Sequence, residues 1–324
     1  MTQAIVLRRT GGPEALMPET VEVGAPGPGQ VRLRQTAIGV NFHDAYVRSG
    51  SYQTLSLPGI PGVEAVGVIE ALGPDVVDFR RGQRVGYVSR GYGAYAEERL
   101  IAANLLIPLP DSVSDEAAAS TLVKGLTAWI LVAKLRPLGA GDVCLVHAAA
   151  GGVGRILTRW ASRRGARVIG TVGDGTKAEI ARSDGCWETV IYREIDFAER
   201  VAELTQGRGV DVVYDSVGRD TFMRSLPLLA VRGWMINFGQ SSGPVEPFSV
   251  GLLAARSNTL TRPILFDFLI DPGERADMAA RLFEALEDGV VPGEAGARFR
   301  LAEAAEAHRA MEGRATTGST ILIP

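Results

Sequence analysis

Small residues follow an apolar segment near the middle of the chain. The segment VCLVH, Val143 to His147, leads directly into AAAGGVG, Ala148 to Gly154, and a helix-like segment follows. A dinucleotide pyrophosphate binds the unpaired amide groups and the positive dipole end of a helix, and it needs a first turn without side chains in the way. The pattern AxxGxxG formed by Ala148, Gly151 and Gly154 therefore predicts dinucleotide binding. The alternative is a plain tight turn between packed elements.

Residues near the end of the next strand decide which nicotinamide cofactor is bound. An acid about 20 residues beyond the glycines binds the ribose hydroxyls of NAD, whereas NADP requires a small residue there and cations nearby. Gly173 stands at this distance from Gly154, and Asp174 follows it directly. Lys177 and Tyr192 are the candidate partners of the NADP phosphate, in which case the Asp174 carboxylate must point away.

The glycine-rich loop lies in a stretch where apolar β-type runs alternate with helical segments. This order requires right-handed crossovers and predicts a parallel, doubly wound sheet between residues 141 and 239. The predicted strands are Val143–His147, Arg167–Val172, Thr189–Tyr192, Val210–Asp215 and Gly233–Phe238.

The first 110 or so residues instead consist of short extended runs separated by turns such as GAPGPG from Gly24, which favours antiparallel β structure. Ser114 is predicted to cap a helix that has Asp115 and Glu116 in its first turn and continues over Ala117–Leu131. The segment after Arg262 is expected to return to the first domain, with helices and a strand at Glu274–Glu287, Leu301–Met311 and Ser319–Ile323. The predicted fold class is α/β, with one mostly β domain over residues 1–123, completed by 265–324, and a cofactor domain over 124–264.

The composition restricts partners and location. The formal net charge is −3 and gives no basic excess, so nucleic acid is not an expected partner. Two cysteines, Cys144 and Cys186, are too few for a disulfide framework or a thiolate zinc cage. No signal-peptide pattern and no apolar run of membrane length are recognised, so a cytoplasmic protein is expected.

Several longer strings resemble a known family. They include AIGVNFHDAYVRSG from Ala37, KGLTAW from Lys124, VVYDSVGRDT from Val212, FGQSSG from Phe238 and RATTGSTILIP from Arg314. With the glycine run, they resemble the quinone oxidoreductases of the zeta-crystallin type, zinc-free members of the medium-chain dehydrogenase/reductases. The resemblance implies a GroES-like catalytic domain, a Rossmann domain that binds NADPH, and a homodimer joined through the Rossmann domain.

The resemblance also assigns site residues. A quinone would be reduced in an interdomain cleft, with Asn41 beside the nicotinamide and with Tyr46 and Tyr52 as aromatic walls. The implied cofactor-binding residues are Asn41, Thr127, Gly151, Gly152, Val153, Gly154, Gly173, Lys177, Tyr192, Ser216, Val217, Phe238, Gly239, Ser241, Arg262 and Arg314. Arg159 and Asp174 depart from the family pattern, which commonly has Gln at the first position and a neutral residue at the second.

Catalytic zinc is not expected. Zinc-dependent members of the superfamily carry a Cys near the position of Asn41 and a Gly-His-Glu run where this chain has Gly62, Val63 and Glu64. A valine side chain cannot bind a metal ion. Without a Lewis acid, an acceptor that is already electron-poor, such as a quinone or an activated enone, is the expected substrate.

Several residues also fit a structural role. Tyr46 and Tyr52 are alternatively packed or half-exposed loop aromatics. Asp44 is expected to cap a local turn, with a role in a proton path as the alternative, and His43 is expected to be structural or exposed at a rim. The arginines at four-residue spacing after the glycine run are expected to form a solvated helix face; they are Arg155, Arg159 and Arg163. Alternative functions are enone or enoyl reduction and a non-catalytic crystallin-like or RNA-binding role.

Overall fold

The computed structural model describes residues 1–313 and 316–324, so the predicted contact of Arg314 lies outside the described residues. The chain divides into two compact units. Unit 1 comprises Met1–Leu126 and Phe266–Pro324, and unit 2 comprises Thr127–Leu265.

The described residues form the following strands and α-helices. The strands are β1 (Thr2–Leu7), β2 (Leu16–Val21), β3 (Gln30–Val40), β4 (Glu64–Leu72), β5 (Arg84–Val88), β6 (Glu98–Ala102), β7 (Leu106–Pro108), β8 (Val143–His147), β9 (Arg167–Val172), β10 (Glu188–Ile191), β11 (Val210–Asp215), β12 (Leu229–Asn237), β13 (Thr259–Thr261), β14 (Ala295–Arg300) and β15 (Ser319–Ile323). The α-helices are α1 (Phe42–Ser49), α2 (Asp115–Trp129), α3 (Gly152–Arg163), α4 (Gly175–Ser183), α5 (Phe197–Leu204), α6 (Phe222–Ser225), α7 (Leu265–Phe268), α8 (Pro272–Glu287) and α9 (Ala304–Glu312).

Unit 1 is built mainly from antiparallel strands. β1 pairs with β2, and a seven-stranded sheet has the order β14-β15-β3-β4-β5-β7 with β6 paired to β3. Alternate side chains of β3, Val31 and Leu33, are fully buried in a core that also contains Ile69 and Tyr87. This packing fixes the end of β3, where Asn41 begins helix α1.

Unit 2 contains a six-stranded parallel sheet with the order β10-β9-β8-β11-β12-β13. Every residue of the central strand β8 is buried, as expected for a strand of a parallel sheet that is covered on both faces. The strand order reverses between β8 and β11, and ligands of such sheets bind at this point, beyond the carboxyl ends of the strands. The predicted α/β class with a doubly wound parallel sheet is confirmed.

Three of the five strands predicted in unit 2 have the bounds that the apolar pattern indicates. β8, β9 and β11 have the predicted bounds, and β10 is shifted by one residue toward the N-terminus. β12 begins at Leu229 and not at Gly233. Its first half was missed because Val231 is exposed and Arg232 adopts a left-handed conformation (φ 62°), which interrupts the apolar pattern without ending the strand.

Helix α2 begins as predicted, because the Ser114 hydroxyl oxygen accepts a hydrogen bond from Ala117 N at 3.1 Å. A π-helical segment, Ile130–Leu135, continues it. By length and composition alone, Asp115–Leu135 is apolar enough to cross a membrane, with a mean hydropathy of 1.3. However, 67% of that apolar window is buried inside the protein, which is typical of a core helix. Charged residues such as Lys124 and Lys134 interrupt the segment, so its sequence is not a continuous apolar run.

Candidate functional site

The glycine-rich turn after β8 is tightly closed. Ala148 has a positive φ of 54°, and its carbonyl oxygen accepts a hydrogen bond from Gly151 N at 2.9 Å. A β-carbon on Gly154 would lie 2.2 Å from the same carbonyl oxygen, so only glycine fits there. Helix α3 starts at Gly152 without a side-chain cap, which leaves its first amide groups available to an anion.

Two arginines of α3 hold the helix against α4. Arg155 Nε and Arg159 Nε lie 2.6 Å and 2.5 Å from the carboxylate oxygens of Asp184, whose side chain is fully buried. The expectation of a solvated arginine face is therefore wrong for these two residues, whereas Arg163 is exposed. Their role is to fix the direction of the helix that carries the glycine turn.

Three residues proposed for the phosphate side lie close to one another: Gly173, Lys177 and Tyr192. A β-carbon on Gly173 would be 3.1 Å from the Tyr192 hydroxyl oxygen. Asp174 caps helix α4, because its Oδ1 accepts a hydrogen bond from Lys177 N at 2.9 Å, and its Oδ2 is 3.5 Å from Lys177 Nζ. Hydrogen bonds from Lys177 and the charge of Arg193 lower the pKa of Asp174. The acid is thus occupied by the helix terminus and by cations.

The loops after β11 and β12 are joined to each other. Ser241 N donates to Ser216 O at 3.1 Å, and a β-carbon on Gly239 would lie 2.6 Å from that same Ser216 oxygen. Phe238 N donates to the backbone oxygen of Asp215 at 2.9 Å, and Val217 N donates to its carboxylate at 2.8 Å. These predicted residues therefore share one edge of the parallel sheet.

Arg262 completes this edge. Its guanidinium donates to the side chain of Asn237, to Gly239 O at 3.3 Å and to Gln240 Oε1 at 3.2 Å. Thr127 is half-buried on α2, and in the described part of the chain no hydrogen bond or ring contact joins it to these loops. The structure thus joins Arg262 to the loops after β11 and β12, whereas the predicted residue Thr127 has no hydrogen bond to these loops among the described residues.

In unit 1, Asn41 is oriented by a buried carboxylate. Asn41 Nδ2 donates to Glu64 Oε1 at 2.8 Å, and Glu64 Oε2 accepts a hydrogen bond from Val123 N at 2.7 Å. Lys124 Nζ lies 3.5 Å from Glu64 Oε1 and donates to Val40 O at 3.2 Å. An ionised carboxylate only accepts, so the amide nitrogen of Asn41 faces Glu64 and its carbonyl oxygen faces the other way.

The carboxyl group of Asp44 lies on the first turn of α1 and is fully buried. Its Oδ2 accepts hydrogen bonds from Asn41 N at 2.9 Å and from the Tyr95 hydroxyl at 3.2 Å, which confirms the predicted helix cap. Among the described residues, Oδ1 has no partner. Burial raises the pKa of Asp44 to about 7, the hydrogen bond from Asn41 opposes this, and the charge of Glu64 adds to it. The group therefore exchanges its proton near neutral pH.

Tyr95 links this carboxyl group to the C-terminal helix α9. Its hydroxyl oxygen lies 2.9 Å from His308 Nε2, and His308 Nδ1 lies 3.5 Å from Arg48 Nη1. Arginine only donates, so Nδ1 accepts and Nε2 carries the proton. Arg48 also binds Glu312 through hydrogen bonds of 2.8 Å and 2.7 Å. Burial, with the charge of Arg48, lowers the pKa of His308 to about 3, so this network ties α1 to α9 with a neutral imidazole.

The two predicted tyrosines form part of an aromatic surface. The rings of Tyr46 and Tyr52 are 5.1 Å apart in an edge-to-face arrangement, and Tyr52 N donates to Tyr46 O at 2.9 Å. The ring of His43 is 5.5 Å from that of Tyr52. A cavity of about 380 Å³ borders Tyr52 and is lined by Thr10, Val47, Ser49, Gly50, Tyr52, Gln53, Leu55 and Leu57. Flat aromatic ligands are suited to such a surface.

The side chains near Asn41 do not suit a catalytic zinc ion. Val63 is a buried hydrocarbon, and the amide of Asn41 is engaged by Glu64. Both cysteines belong to unit 2, and burial raises the pKa of Cys144 above its usual range and that of Cys186 to about 12. Within residues 1–313 and 316–324, no group of three or more His, Cys, Asp or Glu residues is placed to hold a metal ion.

Sequence reasoning missed several residues of these sites. Arg193 follows Tyr192 directly, so a basic residue after the third strand was the available signal. Glu64 and Lys124 were noticed only within longer strings, because their pairing joins segments about 60 residues apart. His43 was given no chemical role, since its neighbours Tyr92 and Phe266 are distant in sequence.

Comparison with known proteins identifies the family. A family model described as "Alcohol dehydrogenase GroES-like domain" matches residues 27–111, and one described as "Zinc-binding dehydrogenase" matches residues 152–285. The quinone oxidoreductase of Pseudomonas aeruginosa is 43% identical over 100% of both chains. A 2-haloacrylate reductase of a Burkholderia species is 44% identical over 100% of this chain and 99% of that protein.

Solved structures indicate the same family as the sequence comparisons. The quinone oxidoreductase of Escherichia coli, crystallised with NADPH, is 40% identical and superposes with a TM-score of 0.96 over 99% of this chain and 100% of that one. Similarity of this degree over the whole length, together with the observed α/β fold, shows that the chain belongs to the quinone oxidoreductase family of the medium-chain dehydrogenase/reductases.

Proposed function

We propose that the protein is an NADPH-dependent quinone oxidoreductase that works without zinc. The observation that carries this proposal is the glycine turn of residues 148–154, which leaves the first amides of α3 open at the switch point of a parallel sheet. The relatives named quinone oxidoreductase, and the NADPH complex of the Escherichia coli protein, support the same cofactor and substrate class.

The chain offers separate contacts for the two charged parts of the cofactor. The amide groups of Gly152, Val153 and Gly154 bind the pyrophosphate. Lys177, Arg193 and the hydroxyl of Tyr192 bind the phosphate on the adenosine ribose. The negative charge of Asp174 would repel this phosphate. Its helix-capping role and its ion pair with Lys177 oppose that repulsion.

Asn41, Tyr46 and Tyr52 act on the reacting groups. NADPH supplies a hydride when it is bound. The carbonyl oxygen of Asn41, fixed by the hydrogen bond from its amide to Glu64, accepts a hydrogen bond from the nicotinamide ribose or carboxamide. Tyr46 and Tyr52 stack on the acceptor ring and exclude water from it. Alignment, more than acid or base chemistry, is the contribution of these residues.

A panel of acceptors tests the substrate class. The purified protein is supplied with NADPH and, in separate assays, with naphthoquinone, an ortho-quinone, an alkenal, a crotonyl thioester and a 2-haloacrylate. We expect the quinones to have the highest kcat/KM. Turnover of the alkenes alone would contradict the quinone assignment, and no NADPH oxidation with any acceptor would contradict enzymatic reduction altogether.

Reduction of an activated alkene is the second candidate function. It is favoured by the 44% identity to the Burkholderia 2-haloacrylate reductase over the whole chain. The same zinc-free arrangement serves both reactions, because a quinone and a haloacrylate are both electron-poor acceptors of a hydride. The panel separates the two functions without any change of protein.

We further propose a cytoplasmic homodimer joined through unit 2. Strand β13 lies at one edge of the parallel sheet, and unit 2 exposes several large apolar side chains, namely Val231, Val250, Leu252 and Ile264. An open edge strand and exposed apolar side chains are features of a surface that pairs with another chain. Sedimentation analysis is expected to give twice the mass of the chain, and a monomer at micromolar concentration would contradict this.

A further inference from the structure

His43 stands at the margin of the aromatic surface formed by Tyr46 and Tyr52. It lies three residues before Tyr46 on α1, so both side chains project from the same face of the helix. Its ring is edge-on to Tyr52 at 5.5 Å and to Phe266 at 5.5 Å, and it is stacked on Tyr92 at 5.9 Å. The imidazole is half-buried and held on three sides by aromatic rings.

One ring nitrogen of His43 has a fixed partner. Nε2 lies 3.2 Å from the hydroxyl oxygen of Tyr92, which also shares a short hydrogen bond with Thr54 Oγ1. Burial raises the pKa of Tyr92, so its hydroxyl stays protonated. When Thr54 donates to Tyr92 and Tyr92 donates to Nε2, the ring proton of His43 resides on Nδ1.

The other ring nitrogen, Nδ1, is not fully buried. Among the described residues, Nδ1 makes no hydrogen bond, and it is absent from the buried polar atoms that lack a partner. Burial, followed by the charge of Arg90, lowers the pKa of His43 to about 4. The guanidinium of Arg90 is itself paired with Asp267 at 2.7 Å. His43 is therefore a neutral donor at physiological pH.

We propose that His43 is a further catalytic residue, whose Nδ1–H donates a hydrogen bond to the carbonyl oxygen of the acceptor that becomes negative during reduction. This inference rests on the proposed quinone reduction. In that reaction the quinone gains a hydride from NADPH, which leaves as NADP⁺, and one proton from solvent water, and its two carbonyl groups become hydroxyls. The imidazole keeps its own proton throughout, because its role is to stabilise the charged oxygen before the solvent proton arrives.

Two substitutions distinguish the effect of the N–H donor of His43 from the effect of its aromatic ring. His43→Phe keeps an aromatic ring among Tyr52, Tyr92 and Phe266 but removes the N–H group. His43→Asn removes the ring but keeps an amide N–H near the position of Nδ1. We expect kcat for naphthoquinone to fall about 10- to 100-fold in His43→Phe, as for loss of one donor to a developing charge, and to recover at least partly in His43→Asn. NADPH affinity, measured by calorimetry, stays at the wild-type value in both variants.

A second readout does not depend on turnover. The chain has three histidines, and two of them, His147 and His308, are fully buried in hydrogen-bond networks. Nitrogen NMR of the imidazoles is expected to show a shift at His43 Nδ1 when naphthoquinone or its hydroquinone is added, with His147 and His308 unchanged as internal references.

These results distinguish the proposed role of His43 from the proposed quinone reduction. Unchanged kcat in a folded His43→Phe variant, or no shift at His43 Nδ1 with saturating ligand, would overturn the role of His43 while wild-type quinone reduction stands. If His43→Phe does not fold, the NMR experiment on the wild-type protein still tests the role: a His43 signal that is the same with and without bound quinone would overturn it. Absence of quinone reduction by the wild-type protein would instead remove the proposed function.

Discussion

Replacement of Gly154 with Ala is expected to disrupt cofactor binding through the backbone. A β-carbon at this position would lie 2.2 Å from the carbonyl oxygen of Ala148 and 2.9 Å from Ala149 Cα. Since β-carbons essentially never approach heavy atoms within 3.0 Å, the turn or the start of α3 has to move by about an ångström. Overpacking of this kind costs about 1–3 kcal/mol.

The same movement displaces the amide groups that receive the pyrophosphate. A hydrogen bond to a charged group contributes about 1.5–3 kcal/mol, so loss of one bond weakens NADPH binding about 10- to 150-fold. Calorimetric titration measures the affinity, and thermal unfolding checks that the variant remains folded. Gly139→Ala is the matched control in unit 2, because nothing lies within 4 Å of its added β-carbon.

Two results would contradict the predicted effect of Gly154→Ala. NADPH affinity in a folded Gly154→Ala variant equal to that of the wild type would show that the turn does not hold the pyrophosphate. An equal loss of affinity in Gly139→Ala would show that the effect is not specific to the turn.

Three further predictions address the phosphate side, a buried acid and the acceptor surface. Lys177→Ala is expected to weaken NADPH binding about 10-fold and to leave NADH binding unchanged in paired titrations, because only NADPH carries the extra phosphate; equal losses for both would contradict this. The pKa of Asp44 is raised from 3.8 to about 7, so the stabilisation from its protonated form is complete below pH 3.8 and is lost as the pH rises through 7, on the order of 4 kcal/mol. Urea unfolding of Asp44→Asn at a series of pH values is expected to lack this loss, and profiles parallel to the wild type would contradict the buried-acid assignment. Tyr52→Leu is expected to raise KM for naphthoquinone about 5- to 10-fold with unchanged NADPH affinity, as for loss of one aromatic contact; an unchanged KM would show that Tyr52 is only a packing residue.

Much of unit 2 could be predicted because its signals are local. The apolar run of β8, the small residues after it and the helix α3 are consecutive in the chain, and periodicity alone locates them. Gly154 was recognised for the same reason, since the need for a close backbone approach is visible in the spacing of the glycines.

The side-chain networks could not be predicted because they join distant segments. The Arg155–Asp184 pair connects residues 29 positions apart, and a helical wheel shows Arg155 only as a polar position. The contact between Arg48 and Glu312 spans 264 positions and depends on the return of the C-terminal segment to unit 1. The position of Asp174 was ambiguous by one residue of register until its role as a helix cap was visible.

A single-turnover experiment tests whether the protein reduces a quinone with NADPH and without a metal ion. The protein, dialysed against a metal chelator and loaded with NADPH, is mixed with naphthoquinone in a stopped-flow instrument, and loss of nicotinamide absorbance is followed beside formation of reduced quinone. We expect NADPH to be consumed at a rate at least as high as kcat, and we expect chelation to have no effect on that rate. No consumption of NADPH, or consumption only after zinc is restored, would contradict it.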